Sequence, residues 1–499
     1  MMGYNRGDTL SGSGEHSSPL PLARELLPRR IDSNSDQTEQ GSSEPTFAGK
    51  PGTSDNGWIS LLSLVLWEGG SSFDAWLTAS SVQVAQVLLT LPYSFAQLGL
   101  ASGIAFQILY GFVGCWACYL MTALYADYRS IKENQHVSFK NHTIQWYEVL
   151  GGLLGPWWKA VGLIFSTTYL FCGSIIQLVA CGSTVYYIND TLPKRTWTLI
   201  FGALFIFTVL IPTAQNYRLW SFLGILMTTY TAWYLTIAAA LNGQVPDVKY
   251  TEANSLELYF TGASNILYAF GGHAVTIEIM HAMWRPRKYK VMYLYAVLYI
   301  FSLTIPSASA VYWAFGDRLL TITNAFAFFP KTKFRDAAVC VMLMHQFIEF
   351  SFSSLPVHLV WEKAIGVHHS NHFTIRALSR IPIVLVMWLI SLMVPFFGPI
   401  NSAVGSLLVT GTVYIIPCLA HMTYYSNSAA RKSAIEQPPV WIFRSWRVMF
   451  AINACVVVLM VTVGVGMGGW ASIKFFVKQV HSFGLFAKCY QCPKKYKQL

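Results

Sequence analysis

Long apolar runs with almost no charge recur along most of this chain, each long enough to cross a hydrocarbon layer of about 30 Å as a helix. A backbone in lipid must satisfy its own hydrogen bonds, so such runs fold as spanning helices and the chain reads as an all-α polytopic membrane protein. Composition agrees: 11% of the 499 residues are charged and 54% are hydrophobic, whereas a soluble domain carries roughly a quarter charged residues. A soluble globular fold is excluded. The net charge of +11 comes from basic residues scattered over short loops, not from one patch. Membrane topology therefore explains it better than nucleic-acid binding, and lipid is the expected surrounding partner, with no nucleic acid.

Eleven spans are predicted, at about 76–98, 102–125, 158–188, 196–213, 219–241, 258–282, 291–315, 335–361, 375–396, 400–424 and 446–467. With a cytoplasmic N-terminus, Arg129, Lys132, Arg218, Arg285, Arg287, Lys288 and Lys363 fall inside the cell, and the sparser Lys194, Arg195, Lys249 and Arg318 fall outside. The C-terminus is then extracellular, although its tail is itself rich in lysine. The predicted organisation is a disordered cytoplasmic tail over 1–73, five-helix repeats over 74–242 and 257–424, an eleventh helix within 440–470, and an extracellular tail over 471–499. The apolar stretch Ile59 to Trp67 is too short to span and reads as interfacial. The sequon at Asn189 lies on the predicted external side and is a candidate glycosylation site. Of nine cysteines, only Cys489 and Cys492 sit in a polar tail. A lone C-x-x-C is a weak zinc signal, so no metal is expected, and a disulfide or an unbonded pair is preferred.

Two spans carry helix-breaking residues in mid-membrane: Leu89-Thr-Leu-Pro-Tyr93 in the first and Phe270-Gly-Gly-His273 in the sixth. A freed backbone group is tolerated in lipid only where it is buried in protein or lines a wet cavity. Breaks five helices apart are the pattern of two inverted five-helix repeats whose first helices meet at a midplane substrate site. Polar stripes support a cavity. Gln83, Gln86, Thr90 and Gln97 recur along the first span, and Ser174 and Gln177 along the third, while single Ser and Thr residues serve equally as interhelical glue.

The middle of the spans lacks Lys and Arg, and the ionisable residues there reduce to His273, Glu278, His281, His345 and Glu349. His273 follows the glycine break and is placed at the cavity, where a protonated imidazole would meet an anionic group. Glu278 and His281 are three apart, and His345 and Glu349 four apart, so each pair can share a helix face and relay a proton. For the first pair, an ion pair at an inner gate is an equal alternative. The cluster His368-His-Ser-Asn-His372 is too small to make a membrane di-iron enzyme.

The segments Leu89-Thr-Leu-Pro-Tyr-Ser-Phe-Ala-Gln-Leu-Gly99, Tyr268-Ala-Phe-Gly-Gly-His-Ala-Val-Thr-Ile-Glu-Ile-Met-His-Ala-Met-Trp284 and Pro395-Phe-Phe-Gly-Pro-Ile-Asn-Ser-Ala-Val-Gly405 resemble the plant auxin influx carriers, a branch of the amino acid/auxin permease family. The likeness runs from about Trp58 to the Phe486-Ala-Lys-Cys-Tyr-Gln-Cys492 ending. It implies a LeuT-type fold of two inverted repeats plus an eleventh helix, proton-driven uptake of indole-3-acetic acid, and residence in the plasma membrane. No cofactor is implied beyond the proton gradient as driving force, and no enzymatic activity. The candidate substrate-binding set joins the stripe residues Gln83, Gln86, Thr90, Gln97, Ser174 and Gln177 and the tyrosines Tyr93 and Tyr268 beside the breaks to Pro92, Gly271, Gly272 and His273, which resemble the family's central site. The chain departs from the family pattern at Val82, where an asparagine is usual, and at Glu349, where a neutral residue is usual. The runner-up reading is a proton-coupled symporter of aromatic or other neutral amino acids on the same fold. A receptor on this scaffold would bind ligand without accumulating it.

Overall fold

The computed structural model describes residues 70–492, apart from 85, 138, 140, 141, 211–217, 252–254, 369 and 371. The predicted tail and interfacial segment before residue 70 lie outside the described residues. Among those described, eight helices are long and apolar enough to cross a membrane. They are α3 (Leu100–Asn134), α5 (Pro156–Val185), α7 (Arg218–Asn242), α10 (Tyr289–Phe315), α11 (Lys333–Ala364), α12 (Phe373–Met393), α13 (Phe397–Tyr425) and α14 (Trp446–Phe483). The other predicted spans are built from shorter pieces. The first is α1 (Ser72–Val84) followed by α2 (Val87–Leu98), the fourth contains α6 (Lys194–Phe205), and the sixth is α8 (Leu256–Ala269), a 3-10 turn over Gly271–Val275, and α9 (Thr276–Ala282). A short helix, α4 (Trp146–Leu154), joins α3 to α5.

Local chemistry sets several of these ends. The side chains of Ser255, Thr332 and Ser445 accept hydrogen bonds from backbone N–H groups three residues on, starting α8, α11 and α14. Pro156 begins α5 where its missing N–H costs nothing. α14 runs to Phe483, well past the predicted end of the eleventh span, because Lys474, Lys478 and His481 share one polar face that extends the helix beyond the apolar run.

The bundle is apolar outside and polar within, as lipid demands. Phe112, Ile164, Phe207, Leu241 and Leu389 are exposed, while Gln83, Gln86, Thr90, Asn265, His273, Gln346 and Asn401 are buried. α2 packs on α8 and α3, α1 on α7 and α10, and α11 on α5 and α7. The two broken helices thus lie together at the centre.

The sixth helix breaks where the glycines predict. The first does not break at Pro92, which sits inside α2; the interruption falls between Val84 and Val87 instead. α2 absorbs the proline as a single missing bond to the carbonyl four residues back, a smaller perturbation than ending the helix.

Candidate functional site

Where the two interruptions meet, the chain leaves a small cavity. The first helix supplies Val82, Gln83, Gln86 and Val87, and the sixth supplies Tyr268, Ala269, Gly271, Gly272, Ala274 and Val275. α5 contributes Tyr169, Leu170, Gly173 and Gln177, and α11 contributes Glu349 and Ser353. Glycine is required at the break for space. A β-carbon on Gly271 would run into the Tyr169 hydroxyl, and one on Gly272 would come within 2.7 Å of the Gln83 side chain.

A polar chain crosses one wall. Gln177 Nε2 donates to Gln86 Oε1 (2.8 Å), and Gln86 Nε2 donates to the Tyr268 hydroxyl (3.5 Å). Beside it, Gln83 has neither amide atom bonded, and Gln177 Oε1 and Glu349 Oε1 also lack partners. Buried polar groups without partners are costly, so these atoms mark a surface that hydrogen-bonds a ligand or water. Tyr169 and Tyr268 meet edge to face, with centroids 6.3 Å apart, and make the aromatic side of the cavity.

Gln83, Gln86, Gln177, Tyr268, Gly271 and Gly272 are therefore brought together as predicted. Ser174 lies one layer back, donating to Ser353 Oγ (3.0 Å). Thr90, Pro92, Tyr93 and Gln97 are not in the cavity. Thr90 donates to Val87 O (3.0 Å) and accepts from Asn265 Nδ2 (3.1 Å), and Gln97 packs against Gly262 of α8. This part of the stripe lies further along α2, where it faces α8.

His273 is also turned away. It is fully buried, with Nε2 2.7 Å from Gly114 O and Nδ1 3.1 Å from both Phe270 O and the Tyr293 hydroxyl. The tight 3-10 turn after Phe270 directs successive side chains to different sides. Gly271 and Gly272 thereby face the cavity and the imidazole faces α3 and α10.

The two carboxylate–histidine pairs part company. His345 Nε2 comes within 3.8 Å of Glu349 Oε1 and 3.3 Å of Ser81 Oγ, immediately beside the cavity. Glu278 is bonded not to His281 but to Gln145 Nε2 (3.4 Å), while His281 packs edge-on against Phe139. Gln145 belongs to a network at the end of the bundle predicted to face the cytoplasm. Lys363 Nζ donates to Gln145 Oε1 (2.9 Å) and Glu148 Oε1 (3.1 Å), and His142 lies 3.1 Å from Glu148 Oε2. Burial raises the Glu148 pKa, but the His142 hydrogen bond and the Lys363 charge outweigh it and hold the carboxyl at about 2. Next to it, Glu362 takes Arg376 (2.9 Å), Arg380 (2.6 Å) and His368 (3.3 Å). Arg380, expected among the cytoplasmic charges, is instead fully buried inside the ninth span. Its position four residues after Arg376, one helical turn on, was the available signal.

Sequence reasoning also missed Tyr169, Gly173 and Ser353, which lack any polar repeat to flag them. The two departures from the carrier pattern, Val82 and Glu349, both fall in the cavity wall. Asn189 is exposed, its Oδ1 accepting from Thr191 Oγ1 (2.6 Å). Cys489 and Cys492 are joined in a disulfide.

Residues 68–463 match the family described as transmembrane amino acid transporter protein. The chain is 59% identical over 467 residues to auxin transporter-like protein 1 of Oryza sativa subsp. japonica, covering 93% of this chain and 94% of the relative. It is 60% identical over 433 residues to auxin transporter protein 1 of Arabidopsis thaliana, covering 87% of this chain and 89% of the relative. Among solved structures, MhsT in complex with L-phenylalanine superimposes with a TM-score of 0.56 at 13% identity, over 80% of this chain and 99% of that one. The shared architecture is the LeuT-type fold.

Proposed function

This chain belongs to the amino acid/auxin permease family, and from that premise we propose that it imports indole-3-acetate into the cell as a proton-driven symporter working by alternating access. The observation that carries the reading is the meeting of two broken helices at a cavity walled by amides and aromatic rings. In this reading the plasma membrane holds the protein with its N-terminus in the cytosol, and the proton gradient is the driving force without a resident cofactor.

The indole ring packs against Tyr169, Leu170, Val87 and Val275. The carboxylate takes N–H donors from Gln83 and from the backbone freed at the breaks. No Lys or Arg stands among the described lining residues, so an anion entering this cavity needs its charge met by a proton.

His273 couples that proton without touching the substrate. Neutral, with Nε2–H donating to Gly114 O, it accepts the Tyr293 hydroxyl at Nδ1; protonated, it donates from Nδ1 to Phe270 O. A proton thus exchanges a bond to α10 for one to the carbonyl at the break itself. His345 and Glu349 form a second proton-accepting pair at the cavity edge, and Glu278, bonded by Gln145, belongs to the inner end.

The test is accumulation of radiolabelled indole-3-acetate by cells expressing the protein, at acidic and neutral external pH, with a protonophore and with excess unlabelled tryptophan. Accumulation at acidic pH that the protonophore abolishes is the expected result, and complete loss of indole-3-acetate uptake under excess tryptophan would favour the amino-acid symporter instead. Unchanged pH-dependent uptake in His273→Gln would remove that residue from the coupling.

A further inference from the structure

Glu349 is the one carboxylate among the described residues that line the cavity. Asp74 holds Arg218, Glu148 holds Lys363 and Glu362 holds two arginines, whereas Glu349, like Glu278 at the inner end, has no Lys or Arg beside it. Glu349 lines the cavity at 3% exposure with Oε1 unbonded, and the nearest basic atom, His345 Nε2 at 3.8 Å, is beyond hydrogen-bond reach. The polar side chains that line the cavity with it from facing elements are phenols and amides: Tyr169 and Gln177 on α5, Tyr268 on α8, and Gln83 and Gln86 on the first helix. Gln83 is itself 3% exposed, with neither amide atom bonded.

A buried acceptor-rich wall without a cation is completed by a ligand that brings one. The geometry points to Glu349 as a recognition residue for a positively charged nitrogen, so that this cavity takes an aromatic compound bearing a primary ammonium group in addition to an aromatic carboxylate. The two tyrosine rings accept the ligand's aromatic body and offer their faces to its cation. Gln83 supplies both a donor and an acceptor for a second polar group. The inference rests on reading this cavity as the transport site, not on which anion it carries.

The experiment compares uptake of three radiolabelled probes that share one ring system: indole-3-acetate, tryptamine and tryptophan. Cells express the full chain, Glu349→Gln or Glu349→Asp, and each rate is normalised to protein labelled at the cell surface. Saturable uptake of tryptamine, tryptophan or both is expected of the unsubstituted protein. Tryptamine alone identifies a lone amine as sufficient, and tryptophan alone shows that the carboxylate is needed as well. Glu349→Gln should lower the ratio of ammonium probe to indole-3-acetate uptake by about tenfold or more, the loss expected for one charged hydrogen bond. Glu349→Asp should keep most of that ratio, which a merely structural role would not predict. Uptake of indole-3-acetate with neither ammonium probe overturns the inference and leaves the auxin reading standing, as does an unchanged ratio in Glu349→Gln. Uptake of an ammonium probe without indole-3-acetate supports the inference and overturns the auxin reading. No uptake of any probe overturns both.

Discussion

Glu349 and Glu362 lie on the same helix, thirteen positions or about 20 Å apart, and the chain finishes them in opposite ways. Glu362 is fully buried and takes hydrogen bonds from Arg376, Arg380 and His368, so α11, α12 and the loop between them are tied at one point. Glu349, at the cavity, keeps an oxygen with no partner. Where the interior is fully paired it holds elements together, and where it is left unpaired it waits for something to bind. Along the cavity wall Gln83 is equally unfinished.

The largest effect should come from breaking the finished end. Glu362→Ala strands Arg380 in the interior and should cost about 3–5 kcal/mol, read as a fall in the thermal midpoint of detergent-purified protein. Glu349→Gln strands no cation and should change that midpoint little. Equal losses in the two variants would erase the distinction.

The network should also be acid-resistant to a defined limit. The carboxyl of Glu148 is held at about 2 against an ordinary value of 4.5, so its folded-state pKa lies below its unfolded one. Its contribution to stability is complete above about pH 4.5 and is lost as the pH falls toward 2. Thermal midpoints measured across that window should fall more steeply for the unsubstituted protein than for Glu148→Gln.

In the cavity, the effects fall on transport. Gly271→Val forces a side chain into the space of the Tyr169 hydroxyl, an overpacking of about 1–3 kcal/mol that should weaken apparent substrate affinity about tenfold. Uptake kinetics would reveal it as a raised half-saturation concentration. The smallest effect is expected at Thr90. Thr90→Val loses the bond from Asn265, about 1 kcal/mol of stability, and should leave uptake within about twofold because the residue lies outside the cavity.

How far the sequence was legible depends on the residue. Gly271 and Gly272 were readable because a glycine pair in mid-membrane has few uses other than close approach. Gln83, Gln86 and Gln177 were readable because a large amide in a span must find a polar partner or a cavity. Thr90 and Gln97 belonged to the same stripe by spacing, and Pro92 was the most conspicuous breaker, but the stripe is interrupted before Val87 and the proline is tolerated within α2. His273 was placed at the right turn and on the wrong side of it, since a 3-10 step rotates each side chain further than an α-helical one. Ser353 and Tyr169 gave no local signal at all, because their role arises from what α5 and α11 face.

The sequence alone determined that this chain is a bundle of membrane-spanning helices, that its sixth helix is broken, and that its interior is polar. Those properties follow from run length, hydropathy and the backbone limits of glycine, which are local and additive. Only the tertiary structure decided where the first helix is interrupted, which polar residues share the cavity, that His273 bonds to carbonyls behind it, and that Glu349 is bare while Glu362 is fully paired. Each of these depends on the phase of one helix relative to another. Side chains of one helix recur on one face, but which neighbouring helix that face meets is not recorded in the spacing within it.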